Sequence, residues 1–201
     1  MEDAADADPA VREHADTWTG TVEPPPAVVG RVGRFDATVD RWFDRALRGR
    51  PGADRFFYTA SELADFSLLW HLIGAWRGLR SARDLRASVR LGIVLGAEST
   101  VVNGLVKSLF RRKRPVPDFE RPHHLRIPVT SSFPSGHASA AFCAATLLAD
   151  GSGPVGLAWY GVAGAVAASR VHVKIHHASD VLAGAAVGLA LGRVARRLWR
   201  V

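Results

Sequence analysis

Hydrophobic and polar positions change rhythm several times along the chain. Residues 1–26, "MEDAADADPAVREHADTWTGTVEPPP", are acidic and proline-rich with no apolar periodicity, a composition that buries too little apolar surface to fold. They are expected to form a disordered tail ahead of a domain at 27–201. Val28, Val32, Phe35, Val39, Trp42, Phe43 and Ala46 then recur at helical spacing, with Arg34, Asp36, Arg41, Asp44, Arg45 and Arg48 on the other faces. This spacing predicts an amphipathic helix over 28–48, closed by Gly49, Pro51 and Gly52. It is too charged to cross a bilayer, and either lies in the membrane interface or packs on the domain.

Five apolar stretches follow, at about 56–78, 88–110, 134–150, 154–171 and 179–198. A bilayer core takes roughly 20 mostly apolar residues to span. The last two stretches fit that length best, and Gly161, Gly164, Gly184, Gly188 and Gly192 in them suit close helix packing in lipid. The first two carry Glu62, Asp65, His71, Arg90 and Glu98, polar groups expected to face a bundle interior. The expected fold is all-α: a bundle of about five transmembrane helices plus the N-terminal amphipathic helix. If each stretch spans, 111–133 and 169–180 share one side. Arg80, Arg83, Arg86, Arg193, Arg196, Arg197 and Arg200 fall on the other, which the positive-inside tendency makes cytoplasmic.

Composition adjusts this picture in two places. Net charge is +7, and arginine supplies nearly all the cations. No nucleic-acid motif accompanies them, so anionic lipid or phosphate is the expected partner rather than nucleic acid. Cys143 is the single cysteine, which excludes an internal disulfide and argues against a cysteine metal cluster.

The candidate chemistry sits where polar residues interrupt the apolar pattern. "ASRVHVKIHHASD" at 168–180 places Arg170, His176 and Asp180 between two apolar stretches. "KSLFRRKRP" brings Lys107 and Arg114, and "SSFPSGHAS" brings Ser135, Gly136 and His137. A phosphoryl group needs its anionic oxygens neutralised. Arg114 and Arg170 can grip oxygens bidentately, and Lys107 adds a point charge. "PSGH" opening a helix would aim backbone N–H groups at an anion, with the Ser135 hydroxyl as a further donor. His176 and Asp180 are four apart, one face of a helix. A carboxylate on one ring nitrogen makes the other a better nucleophile. His137 has no carboxylate near it in sequence and is free to protonate a leaving oxygen. His172 and His177 are expected to be solvent or interface residues. Lys174 and "RRK" at 111–113 are read as lipid-headgroup contacts or solvated charge.

In these three segments the chain resembles the type 2 phosphatidic acid phosphatase superfamily, which also contains vanadium-dependent haloperoxidases. Its pattern K-x6-R-P, P-S-G-H, S-R-x5-H-x3-D is matched in residue, spacing and order at Lys107–Pro115, Pro134–His137 and Ser169–Asp180. The resemblance implies that His176 attacks phosphorus to form a phosphohistidine and that Asp180 orients it. It implies that His137 protonates the leaving alcohol and then activates water. Lys107, Arg114, Ser135, Gly136 and Arg170 would hold the phosphate, with no metal and no cofactor. The implied protein is a bacterial plasma-membrane phosphatase with its site facing outward. Its substrate would be a lipid phosphate monoester or diphosphate: phosphatidic acid, phosphatidylglycerol phosphate, undecaprenyl diphosphate or a polyprenyl-phosphate sugar phosphate. A vanadate-dependent haloperoxidase and a non-catalytic membrane protein are the rival readings, both disfavoured by the apolar stretches together with the intact histidine and aspartate set.

Overall fold

The computed structural model describes residues 30–123 and 125–201; the expected tail at 1–26 lies outside them. Seven α-helices account for the architecture, and no strand occurs among the described residues. They are α1 (Gly30–Ala46), α2 (Pro51–Leu63), α3 (Leu68–Gly78), α4 (Ala82–Ser99), α5 (Gly136–Leu148), α6 (Gly156–His172) and α7 (Ala178–Leu198).

The sequence places the ends of these helices locally. Pro51 opens α2, where a missing N–H costs nothing. Ser81 caps α4 by accepting the Asp84 N–H at 3.0 Å, and Ser135 caps α5 by accepting the Ala138 N–H at 3.4 Å. The first apolar stretch is not one helix. It breaks between α2 and α3, where Phe66 (φ 52°) and Ser67 (φ 59°) both take the left-handed conformation. At its far end α4 widens into a π-helical segment, Thr100–Val106, and then tightens into a 3₁₀ turn, Lys107–Leu109.

The centre of the bundle is the α5–α7 seam, built from small residues. Ala138, Ala141, Cys143, Ala144 and Ala145 are buried along α5. Opposite them, a Cβ on Gly184 would stand 2.3 Å from the Ser135 carbonyl oxygen, and one on Gly188 2.0 Å from that of Ser139. The two backbones therefore touch directly. Gly161 and Gly164 differ from the expectation: nothing lies within 4 Å of a Cβ at either position. Their share of the small-residue pattern makes no seam.

Large apolar side chains are turned outward instead. Leu72, Ile93, Leu105 and Leu182 are each more than half exposed, and such side chains recur along α3, α4 and α7. Small residues inside and leucine outside is the arrangement of a protein that sits in lipid. Ala82–Leu109 and Ala178–Leu198 are long and apolar enough to cross a membrane, at 28 and 21 residues. The expected five spans are not reached by this measure, because α2, α3, α5 and α6 run only 13, 11, 13 and 17 residues.

α1 packs on the domain. Phe43 is buried in a cluster with Ala138, Ala167, Val171 and Val181. Arg48, just past its end, donates to the Val171 and His172 carbonyl oxygens, both at 2.7 Å. Both carbonyls belong to the last turn of α6, where helical partners run out; that of Val171 also accepts the Lys174 N–H at 3.0 Å.

Candidate active site

Four helix ends converge on one side of the bundle: the end of α4, the start of α5, the end of α6 and the start of α7. Lys107, Ser135–His137, Arg170 and Asp180 occupy those ends, and Arg114 and His176 enter from the adjoining loops.

The α6–α7 loop is wound back on itself. Lys174 takes a left-handed φ of 48°, and the N–H groups of Ile175 and His176 both bond to the Arg170 carbonyl oxygen at 3.1 Å. This closes the α6 terminus and turns His176 inward, where it is 2% exposed. Arg114 reaches it from the other loop. Its Nη1 lies 3.2 Å from His176 Nε2 and donates to the Ile175 carbonyl oxygen at 3.0 Å. Its Nη2 donates to the Thr130 and Ser131 carbonyl oxygens at 3.1 and 3.2 Å. A guanidinium only donates, so Nε2 is the bare, accepting nitrogen of His176 and Nδ1 carries the proton.

Nδ1 faces Asp180 Oδ2 at 3.7 Å, a charge contact longer than a hydrogen bond. The helical i, i+4 face expected for this pair is not how they meet. His176 lies outside helix, and Asp180 reaches back from the first turn of α7. Asp180 is held by three donors: the His177 N–H at 2.9 Å, the Ser132 hydroxyl, and Arg112 Nη1 at 2.6 Å. Its own carbonyl oxygen accepts the Ser135 N–H at 3.0 Å, which ties the "PSGH" turn to the His176 segment.

Burial pushes the His176 imidazole down to about 3, with the Arg170 and Arg114 charges adding to the fall and Asp180 opposing it. The ring is therefore neutral at pH 7, as a nucleophile must be. In the unfolded chain a histidine binds its proton at about pH 6.5. Between about 6.5 and 3 the unfolded state then holds more protons than the native state, and stability falls as pH drops. Melting temperature is expected to decline more steeply in wild type than in His176→Asn as pH is lowered from about 6.5 toward 4. Parallel declines would contradict a buried neutral ring.

Arg170 is 1% exposed. One of its nitrogens donates to the Ser61 hydroxyl, while Nε and Nη2 make no hydrogen bond. Lys107, 7% exposed, lies in the field of Arg114, Arg170 and Asp180. Gly136 allows α5 to start against the π-helical end of α4, since a Cβ there would lie 2.6 Å from Asn103 Oδ1. Unpaired buried guanidinium donors, an ammonium and a neutral imidazole are groups whose chemistry suits a multiply charged anion.

His137 Nε2 lies 2.7 Å from Asp65 Oδ1, so it too has a carboxylate, brought from the α2–α3 break. Sequence reading missed this pair because 72 positions separate the partners; an acidic residue inside an apolar stretch was the only signal. Arg112 was missed as well. Instead of facing lipid or solvent, its guanidinium joins Asp180 to Asp36 of α1, with Nη2 2.7 Å from Asp36 Oδ2. Asp36 also accepts from the Ser179 N–H and hydroxyl, each at 2.8 Å. Lys174 is likewise buried, 2.6 Å from Asp118 and 3.4 Å from Asp40. His172 is buried rather than solvated, with Nε2 2.8 Å from Asp54 Oδ1. Among the described residues, no group of three or more His, Cys, Asp and Glu is arranged to hold a metal.

Fold and site together define a helical bundle, with two helices long and apolar enough to cross a membrane and a buried histidine beside an arginine at one end. The chain belongs to the PAP2 superfamily, whose pattern matches residues 87–200. The decaprenylphosphoryl-5-phosphoribose phosphatase of Mycobacterium tuberculosis is 34% identical over 175 residues, 82% of this chain and 90% of that one. The lipid A 1-phosphatase of Porphyromonas gingivalis is 46% identical over 71 residues, 32% of this chain and 15% of that one. Two crystal structures share the fold. A transmembrane PAP2-type phosphatidylglycerolphosphate phosphatase from Bacillus subtilis has a TM-score of 0.66 at 23% identity, covering 85% of this chain and 87% of its own. LpxE from Aquifex aeolicus has a TM-score of 0.66 at 24% identity, covering 81% and 95%.

Proposed function

We propose that the protein is an integral membrane phosphatase of the bacterial plasma membrane, cleaving a polyprenyl-linked phosphate monoester at the outer leaflet. The observation that supports it most is the bare Nε2 of His176 beside Arg114, within the field of Arg170. The substrate class is carried over from the decaprenylphosphoryl-5-phosphoribose phosphatase, a relative that aligns along most of both chains.

In the first step His176 Nε2 attacks phosphorus, the P–O bond to the lipid alcohol breaks, and His137 gives that oxygen its proton. Arg114, Arg170, Lys107 and the Ser135–Gly136 turn hold the three equatorial oxygens as charge spreads over them. Asp180 faces the Nδ1–H and stabilises the cation that forms on the ring. In the second step His137 takes a proton from water, water attacks the phosphohistidine, and inorganic phosphate leaves with His176 restored. Asp65 holds His137 in place for both transfers.

Purified protein is expected to release phosphate from a polyprenylphosphoryl pentose 5-phosphate faster than from phosphatidic acid, with and without EDTA. Release from phosphatidic acid alone would overturn the substrate class. Loss of all activity in EDTA would overturn the mechanism.

A further inference from the structure

Two cavities among the described residues lie away from the candidate active site. Both open at the opposite end of the bundle, among the start of α4 and the ends of α3, α5 and α7. The first has a volume of about 290 Å³, and Arg77, Arg83 and Arg90 line it with Asp84 and Asp150. The second, about 440 Å³, adjoins it through Asp150 and adds Arg193, Arg196, Arg197 and Arg200. Seven arginines thus face two side-chain carboxylates, with Val201, the last residue, lining both cavities. Those carboxylates are already engaged. Asp150 lies between Arg90 at 3.2 Å and Arg196 at 2.9 Å, and Asp84 accepts the Ser81 hydroxyl at 2.9 Å.

Arg90 is the informative residue. It is 1% exposed. Nη1 donates to the Trp199 carbonyl oxygen at 2.9 Å and Nη2 to Asp150, while Nε makes no hydrogen bond. A buried N–H without an acceptor is costly. Among the described residues, the other arginines with this feature are Arg114 and Arg170, where an anion is expected. Arg77, Arg83 and Arg90 come from two helices and point into one concave space. A carboxylate satisfies one guanidinium fork, whereas a tetrahedral phosphate offers acceptors to several.

We propose that this arginine-lined cavity is a second anion site, one that binds a phosphate-bearing group at the membrane surface remote from catalysis. It stands independently of the phosphatase reading. The group comes either from a phosphodiester lipid headgroup of that leaflet or from free phosphate. A phosphodiester such as phosphatidylglycerol has no terminal phosphoryl group to lose, so it is retained rather than hydrolysed.

Thermal melting separates the sources. Wild type, Arg77→Gln/Arg83→Gln and Arg83→Gln alone are compared in detergent with inorganic phosphate, at matched ionic strength. They are also compared in phosphatidylglycerol and phosphatidylcholine nanodiscs. The single variant guards against loss of folding, because the Arg83 side chain makes no hydrogen bond among the described residues whereas Arg77 donates to the Leu148 carbonyl oxygen. Phosphate also enters the candidate active site, so its inhibition of hydrolysis is measured alongside and is expected to match in all three. Stabilisation by phosphate that needs about tenfold more anion in the variants identifies free phosphate. Stabilisation confined to phosphatidylglycerol nanodiscs and weakened in the variants identifies a headgroup. Equal stabilisation of wild type and both variants in every medium overturns the proposal.

Discussion

Replacing His176 by alanine is expected to lower kcat by at least about 10⁴-fold, roughly 5.5 kcal/mol of barrier, while KM changes little. The substitution removes the attacking nitrogen and leaves Arg114, Arg170 and Lys107 to bind the phosphate. Binding survives because Arg114 is anchored by three backbone carbonyl oxygens, those of Ile175, Thr130 and Ser131, and does not depend on the imidazole. Arg112→Ala gives a graded contrast. It withdraws one of the three donors to the Asp180 side chain and one of the ties between α1 and the site, leaving the Ser179–Asp36 bonds, and removes no reacting atom. A loss of about 10- to 100-fold in kcat is expected, comparable to that from removing an outer-shell partner elsewhere, with KM nearly constant. His137→Ala separates the two chemical steps. With an aryl phosphate, whose leaving group needs no proton, the first step proceeds and the second stalls, so rapid quenching finds phosphohistidine. Retention of more than about a tenth of wild-type kcat in His176→Ala, far above the loss expected of an absent nucleophile, would remove this residue from the mechanism.

What the chain shows along its length and what it hides follow from how each interaction is spaced. The helices α4 to α7 were legible because their apolar runs are long and their polar interruptions short. The break between α2 and α3 was not, because Phe66 and Ser67 do not announce a left-handed turn as glycine does. The residues of the candidate site could be named from the sequence because each lies in a gapped motif of fixed spacing. Their supports were not, since Asp65 meets His137 and Asp36 meets Arg112 only through the fold. The same limit governed α1. Its amphipathic pattern fitted an interfacial helix or a packed one equally, and only contacts of Phe43, Arg48 and Asp36 with α6 and α7 decide for packing. Charged residues read as lipid-headgroup contacts or solvated charge, Arg112 and Lys174, proved to be internal ties for one reason. A long cationic side chain looks the same in sequence whether it reaches outward or folds inward.

Gly188→Ala is expected to destabilise the protein more than any other single added methyl group. The new Cβ would lie 2.0 Å from the Ser139 carbonyl oxygen and 2.8 Å from its carbonyl carbon. Both are backbone atoms inside α5, so no rotamer change relieves the overlap. The helices must part by about 1 Å, which forfeits a quarter to a half of the dispersion energy at each contact along the seam. Gly184, one turn before, carries the same backbone approach at 2.3 Å to Ser135 O, and a Cβ on Gly192, one turn after, would meet the Thr146 side chain at 2.7 Å, so separation at the centre is felt along the whole interface. A cost of about 4 kcal/mol is expected, beyond the usual 1–3 kcal/mol for overpacking, lowering the melting temperature by about 10 °C. Gly164→Ala is the control. It adds the same methyl group in α6 where nothing lies within 4 Å, and helix propensity favours it by about 1 kcal/mol. If composition alone mattered, the two variants would shift alike. If backbone contact matters, they shift in opposite directions, and Gly188→Ala loses activity as well. Ser135, which caps α5 and donates to the Asp180 carbonyl oxygen, rides on the same seam and moves with it.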